Sequence, residues 1–125
     1  MKKIIETSSA PAPVGPYSQA IEVNDFIYCS GQIPLDATSG ALVLGDIQAQ
    51  TEKVMQNISE VLKAADLNFS NVVKTAIFLT DMSDFTPMNQ IYAKYFSENP
   101  PARSCVAVSS LPKGVNVEIE VIAHR

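Results

Sequence analysis

The sequence predicts an α+β fold in the order β-β-α-β-α-β-β, with two helices packed on one face of a mixed sheet. Three observations carry that expectation. An apolar stripe at helical spacing runs from Ile47 to Ala65 behind an aspartate. A shorter stripe surrounds a proline placed where only a first helical turn accepts one. The remaining apolar residues fall into short, β-branched runs separated by turn residues.

The stretch from Ser8 to Pro16 carries Pro11, Pro13, Gly15 and Pro16, and reads as an extended surface loop that Tyr17 leaves. Two strand-like runs, Gln19–Val23 and Phe26–Ile33, flank Asn24-Asp25, a dipeptide suited to a tight hairpin although the usual glycine is missing. Between Pro34 and Gly45 the residues Asp36, Thr38, Ser39 and Gly40 mark a turn-rich connection. Asp46 then offers an N-cap, and Ile47, Thr51, Val54, Met55, Ile58, Val61, Leu62 and Ala65 share one helical face. Asn71–Thr80 is apolar on both parities, the pattern of a central strand covered on both sides. A second helix begins near Asp84, with Phe85, Met88, Ile91, Tyr92, Tyr95 and Phe96 as its buried stripe, and Asn99-Pro100-Pro101 ends it. Two strands remain, Ala102–Ser109 and Val115–Ala123, joined through Leu111-Pro112-Lys113-Gly114. The span 1–125 is expected to form one domain.

Composition narrows the function. Charged residues make up only 18% of the chain, little to cover the surface of so small a monomer, so burial of the excess apolar surface by homo-oligomerisation is expected. The net charge of −4 supplies no general positive field for phosphate backbones or anionic lipid, which disfavours nucleic acid and membranes as partners. Met1-Lys2-Lys3-Ile4-Ile5 is too short an apolar run for a signal peptide, and no stretch approaches a membrane span, so a cytoplasmic protein with Cys29 and Cys105 reduced is expected. No metal site is expected either, because His124 is the only histidine and no Cys-x-x-Cys spacing occurs.

Candidate chemistry gathers in the last two strands. Val117, Ile119, Val121 and Ala123 share one parity and form a core face, which leaves Glu118, Glu120 and Ile122 on the other. In the preceding strand Val106 and Val108 oppose Arg103, Cys105 and Ala107, so the polar parity there carries a cation. Apart from the terminal Arg125, Arg103 is the only arginine. A guanidinium grips a carboxylate bidentately, and Arg103 reads either as the structural partner of Glu118 or Glu120 or as a substrate-binding group. Two carboxylates exceed what one arginine needs, leaving one for acid/base work or for a contact between subunits. By itself Gly31 reads as a bulge or turn, Tyr17 as an apolar anchor, Asn89 as solvated, and both cysteines as small buried hydrophobes.

Five segments change that balance: Gly15-Pro16-Tyr17-Ser18-Gln19, Ser30-Gly31-Gln32-Ile33-Pro34, Asp84-Phe85-x-x-x-Asn89, Pro101-Ala102-Arg103-Ser104-Cys105-Val106 and Leu111-Pro112-Lys113. In this order, and almost from end to end, they resemble the RidA (YjgF) family of imine deaminases. The resemblance implies a chorismate-mutase-like α+β fold and a homotrimer whose sheets form a central barrel, with active sites in clefts between subunits. It implies hydrolysis of reactive enamines and imines, such as 2-aminoacrylate/2-iminopropanoate and 2-iminobutanoate, to 2-keto acids and ammonia without a cofactor. By position, Arg103 matches the arginine that holds the substrate carboxylate and Glu118 the acid that orients or activates water. Tyr17, Ser30 and Asn89 match residues lining the cleft, Gly31 a backbone donor to the carboxylate, and Cys105 a position whose backbone carbonyl helps hold the water. Ala107 departs from the pattern, since many relatives carry glutamate there. The other readings are a non-catalytic trimer binding a 2-keto acid in the same cleft, and an endoribonuclease. The net charge and the absence of a histidine pair weigh against the latter.

Overall fold

In a computed structural model describing residues 1–125, the chain forms six strands and two helices. In order they are β1 (Lys3–Ile5), β2 (Ala20–Val23), β3 (Phe26–Gln32), α1 (Ile47–Ala64), β4 (Val72–Leu79), α2 (Phe85–Tyr92), β5 (Ala102–Ala107) and β6 (Val117–His124). The sheet runs β1-β2-β3-β6-β4-β5. Only β4 and β5 pair in parallel, as the crossover through α2 requires, so the sheet is mixed as expected. The additional strand is β1, paired antiparallel with β2; at three residues it is too short to show periodicity in sequence.

Local chemistry accounts for the other boundaries. Asn24 and Asp25 both take left-handed backbone, with φ of 50° and 66°, and so form the two-residue turn that matches the twist of β2 and β3 without a glycine. Asp46 caps α1 by accepting from the Ala49 N–H at 2.8 Å. The second helix is shorter than its apolar stripe. After Tyr92 the backbone tightens, with Lys94 N–H donating to Ile91 O and Tyr95 N–H to Tyr92 O, so Tyr95 and Phe96 reach the core from a turn.

Both helices lie on one face of the sheet. Val54, Met55, Ile58, Val61 and Leu62 of α1 and Met88 and Tyr92 of α2 form one cluster with Ile27, Ile77, Leu79 and the alternating Val117, Ile119, Val121 and Ala123. Buried polar side chains pin loops to this layer. The Asn57 amide donates to Ile33 O and Leu35 O at 3.1 and 2.9 Å, and Gln50 exchanges bonds with Asn116. Gln19 holds the proline-rich loop, donating to Thr7 O, Ala10 O and Pro11 O and accepting from the Thr7 N–H.

Within this chain the opposite face has no cover. Ile4, Phe26, Tyr28, Val73 and Val106 are exposed. The expectation that β4 is covered on both sides therefore fails for the single chain. Its burial alternates instead, with Thr75, Ile77 and Leu79 buried and Ala76 and Phe78 only half-buried. No helix is long and apolar enough to cross a membrane.

Candidate functional site

Strand register decides which side chains can meet. In β4 and β6, Phe78 lies opposite Glu118 and Ala76 opposite Glu120, so both carboxylates stand on the open face. In β5, Arg103 aligns with Thr75, Cys105 with Ile77 and Ala107 with Leu79, which places them on the helix-covered side. Arg103 and Glu118 therefore occupy opposite faces of the sheet. The structural ion pair considered from sequence does not form, because the polar parity of β5 is its helix-facing parity. No carboxylate lies within salt-bridge distance of Arg103.

The acidic half is built around a close backbone approach. A side-chain Cβ at Gly31 would lie 2.0 Å from Glu118 Oε2 and 3.0 Å from its Cγ, so only glycine lets Glu118 lie across β3. The irregular β3–β6 register between Cys29 and Gln32 brings that glycine to Glu118. Ser30 Oγ donates to Ser18 O at 2.6 Å and its N–H to Gln19 O at 2.9 Å, tying the strand to the loop that presents Tyr17. Together Tyr17, Ser30, Gly31, Ile33, Lys113 and Glu118 line much of a 460 Å³ cavity. Burial pushes the Glu118 carboxyl above its ordinary value, and the neighbouring charge of Glu120 adds to the shift. A carboxylate so placed accepts protons more readily than a solvated one.

The cationic half lies on the other side. Arg103 Nη1 donates to Asn89 Oδ1 at 2.6 Å, and the guanidinium carbon sits 5.0 Å from the Tyr92 ring centre and 5.4 Å from that of Phe85. Cys105 follows on β5, half-buried; burial raises its thiol pKa while Arg103 opposes the shift. Cys29 is buried under the core, its thiol pushed up to about 12. No group of three His, Cys, Asp or Glu side chains is arranged to hold a metal ion.

The seven residues singled out from sequence thus fall into two groups. Tyr17, Ser30, Gly31 and Glu118 come together, as do Asn89, Arg103 and Cys105, and within the chain the sheet separates the groups. Three contributors were not singled out. Phe85 and Tyr92 read as core, although their spacing with Asn89 at i, i+4 and i+7 puts all three on one helical face. Lys113 lines the acidic cavity with left-handed backbone, φ 58°, which the adjoining Pro112 and Gly114 signal only as a turn.

Fold and site define a small mixed-sheet α+β protein whose polar groups are divided between the two faces of its sheet. A family model described as endoribonuclease L-PSP matches residues 7–125, and the chain belongs to this family, also called YjgF/RidA. A 2-iminobutanoate/2-iminopropanoate deaminase of Mus musculus is 49% identical over 98% of this chain and 91% of its own. A RutC family protein of Pyrococcus horikoshii is 50% identical over 100% of this chain and 99% of its own. Among solved structures, Escherichia coli TdcF with bound serine superposes with a TM-score of 0.94 at 39% identity, over 98% of each chain.

Proposed function

We propose that the protein is a cofactor-independent imine deaminase, hydrolysing 2-iminopropanoate, 2-iminobutanoate and their enamine tautomers to 2-keto acids and ammonia. The observation that carries the reading is that one chain presents both a half-buried carboxylate of raised pKa lying against Gly31 and, on the other face of the sheet, an arginine whose guanidinium edge is open to a ligand carboxylate. The mouse relative's name supports the reaction class, and the serine bound to TdcF supports a small amino-acid-like ligand.

The chemistry asks for positioning and proton transfer. A protonated C=N carbon is already electrophilic. Arg103 holds the substrate carboxylate with the Gly31 N–H as a second donor, and a water held by Glu118 and the Cys105 carbonyl adds to the imine carbon. Proton transfer to nitrogen breaks the C–N bond of the resulting carbinolamine, and ammonia leaves as the C=O forms. Because the two halves face opposite sides of one sheet, completing the site calls for Arg103 from a second copy. This supports sites between subunits, and the uncovered sheet face supports a homotrimeric barrel closed on that face. A cytoplasmic setting suits an enzyme whose imines arise from amino-acid dehydration.

The test generates the imine in place with an amino-acid dehydratase and follows keto-acid release. Acceleration proportional to added protein is the expected result; release at the uncatalysed rate, with 2-keto acid still bound, would leave a non-catalytic binding protein.

A further inference from the structure

Phe85 and Tyr92 of α2 do not line the cavity that holds Glu118, yet both lie close to Arg103. Phe85, Asn89 and Tyr92 stand at i, i+4 and i+7 and lie around one guanidinium: Asn89 Oδ1 accepts a hydrogen bond from Nη1 at 2.6 Å, and the two ring centres lie 5.4 and 5.0 Å from Cζ. Tyr92 is itself fixed, because its hydroxyl shares a buried 2.8 Å hydrogen bond with Thr75 Oγ1 on β4. Thr75 is fully buried and aligned with Arg103 across the β4–β5 pair. The chain of contacts runs from core threonine to tyrosine ring to guanidinium. Arg103 carries five N–H donors and spends one on Asn89, its single side-chain hydrogen bond, so the rest of its edge stays free while two rings lie within cation–π distance of Cζ. That is the preparation a bidentate carboxylate contact needs.

Resting on the deaminase reading above, we infer that Phe85 and Tyr92 are positioning residues that hold Arg103 in its carboxylate-binding geometry within each subunit, before any second copy or ligand arrives. Stacking belongs to a planar guanidinium and not to an ammonium of the same charge. A flexible arginine would have to be ordered at each binding event, and the cradle removes that cost.

Phe85 is only half-buried, so Phe85→Leu keeps apolar volume and tests the ring with little risk to folding. Titration with 2-ketobutanoate should show Kd raised about 2- to 5-fold, the weight of one exposed cation–π contact. KM for 2-iminopropanoate should rise in step while kcat changes less, and Phe85→Tyr should restore both. Tyr92→Phe keeps the ring but cuts its tie to Thr75; it should lower the melting temperature and raise Kd by less than Phe85→Leu does. The deciding measurement is a double-mutant cycle: once Arg103 is alanine, Phe85→Leu should change Kd no further. An equal penalty in both backgrounds, or an unchanged Kd in the single variant, overturns the inference while leaving the deaminase reading intact. A parent protein that neither binds 2-ketobutanoate nor speeds imine hydrolysis overturns both.

Discussion

Glu118 and Glu120 stand two residues apart on the same face of β6: both face away from the core, but Glu118 lies half-buried against Gly31 while Glu120 is exposed. Their substitution should separate accordingly. Glu118→Gln should lower kcat on freshly generated imine by about 10²–10⁴-fold while 2-keto acid binding persists, and Glu120→Gln should act on assembly or stability instead. Equal rate losses in the two variants would reverse the assignment. The raised pKa also fixes the sign of two pH effects. Turnover should fall on the acid side at a pH above 4.5, the ordinary glutamate value. A carboxyl that binds its proton more tightly folded than unfolded stabilises the fold below the unfolded pKa and loses that contribution as pH rises through the folded one. Glu118→Gln should therefore melt higher than the parent at neutral pH, in thermal scans of both proteins. Cys29, with its thiol at about 12, should resist a thiol reagent at pH 8 in the native state and react only on unfolding.

Among the elements, the β2–β3 hairpin offers a clean backbone test. Asp25 sits at φ 66°, so Asp25→Gly should relieve left-handed strain and raise stability by about 1 kcal/mol in denaturant titration, with the Arg125 N–H still able to reach the residue 25 carbonyl. The elements most legible in sequence are those with a long period or a distinct stop. Asp46 and eight positions on one helical face, seven of them apolar, define α1, and the alternation of Val117 through Ala123 defines β6 and its core face. The end of α2 was hidden because Tyr95 and Phe96 stay in contact with the core after the helix has stopped, through Phe69. The facing of β5 was hidden for a different reason. An edge strand with nearly every residue exposed gives no burial alternation, and which parity looks toward the helices depends on its alignment with Thr75, a tertiary fact. The polar parity of β6 was legible in sequence; the division of the candidate residues between two faces of the sheet was not.

For the whole molecule, that division yields a prediction independent of any single rate. If Arg103 of one copy completes a cleft containing Glu118 of another, then Arg103→Ala and Glu118→Gln are each inactive alone but complementary when mixed. Subunits exchanged at random should recover about one quarter of parental activity, from interfaces that combine an intact arginine with an intact glutamate. A mixture as inactive as its components would place both groups in one subunit's site. Light scattering should give three chains per particle, the state expected to cover Tyr28, Ile122 and Val106 on the open face. A fully active monomer at micromolar concentration would remove the shared-site arrangement.

The clamp that Gln19 places on the proline-rich loop has a thermodynamic consequence. A segment without helix or strand, carrying Tyr17 at the cavity edge, is held by four hydrogen bonds from one buried amide and so is ordered by folding, not by ligand. Binding at this wall should then bring a small heat-capacity change and little new protection of the loop's amides from hydrogen exchange. Gln19→Leu would transfer that ordering to the binding step, and the same ligand would bind with a larger entropic penalty to a loop that proteases can cut.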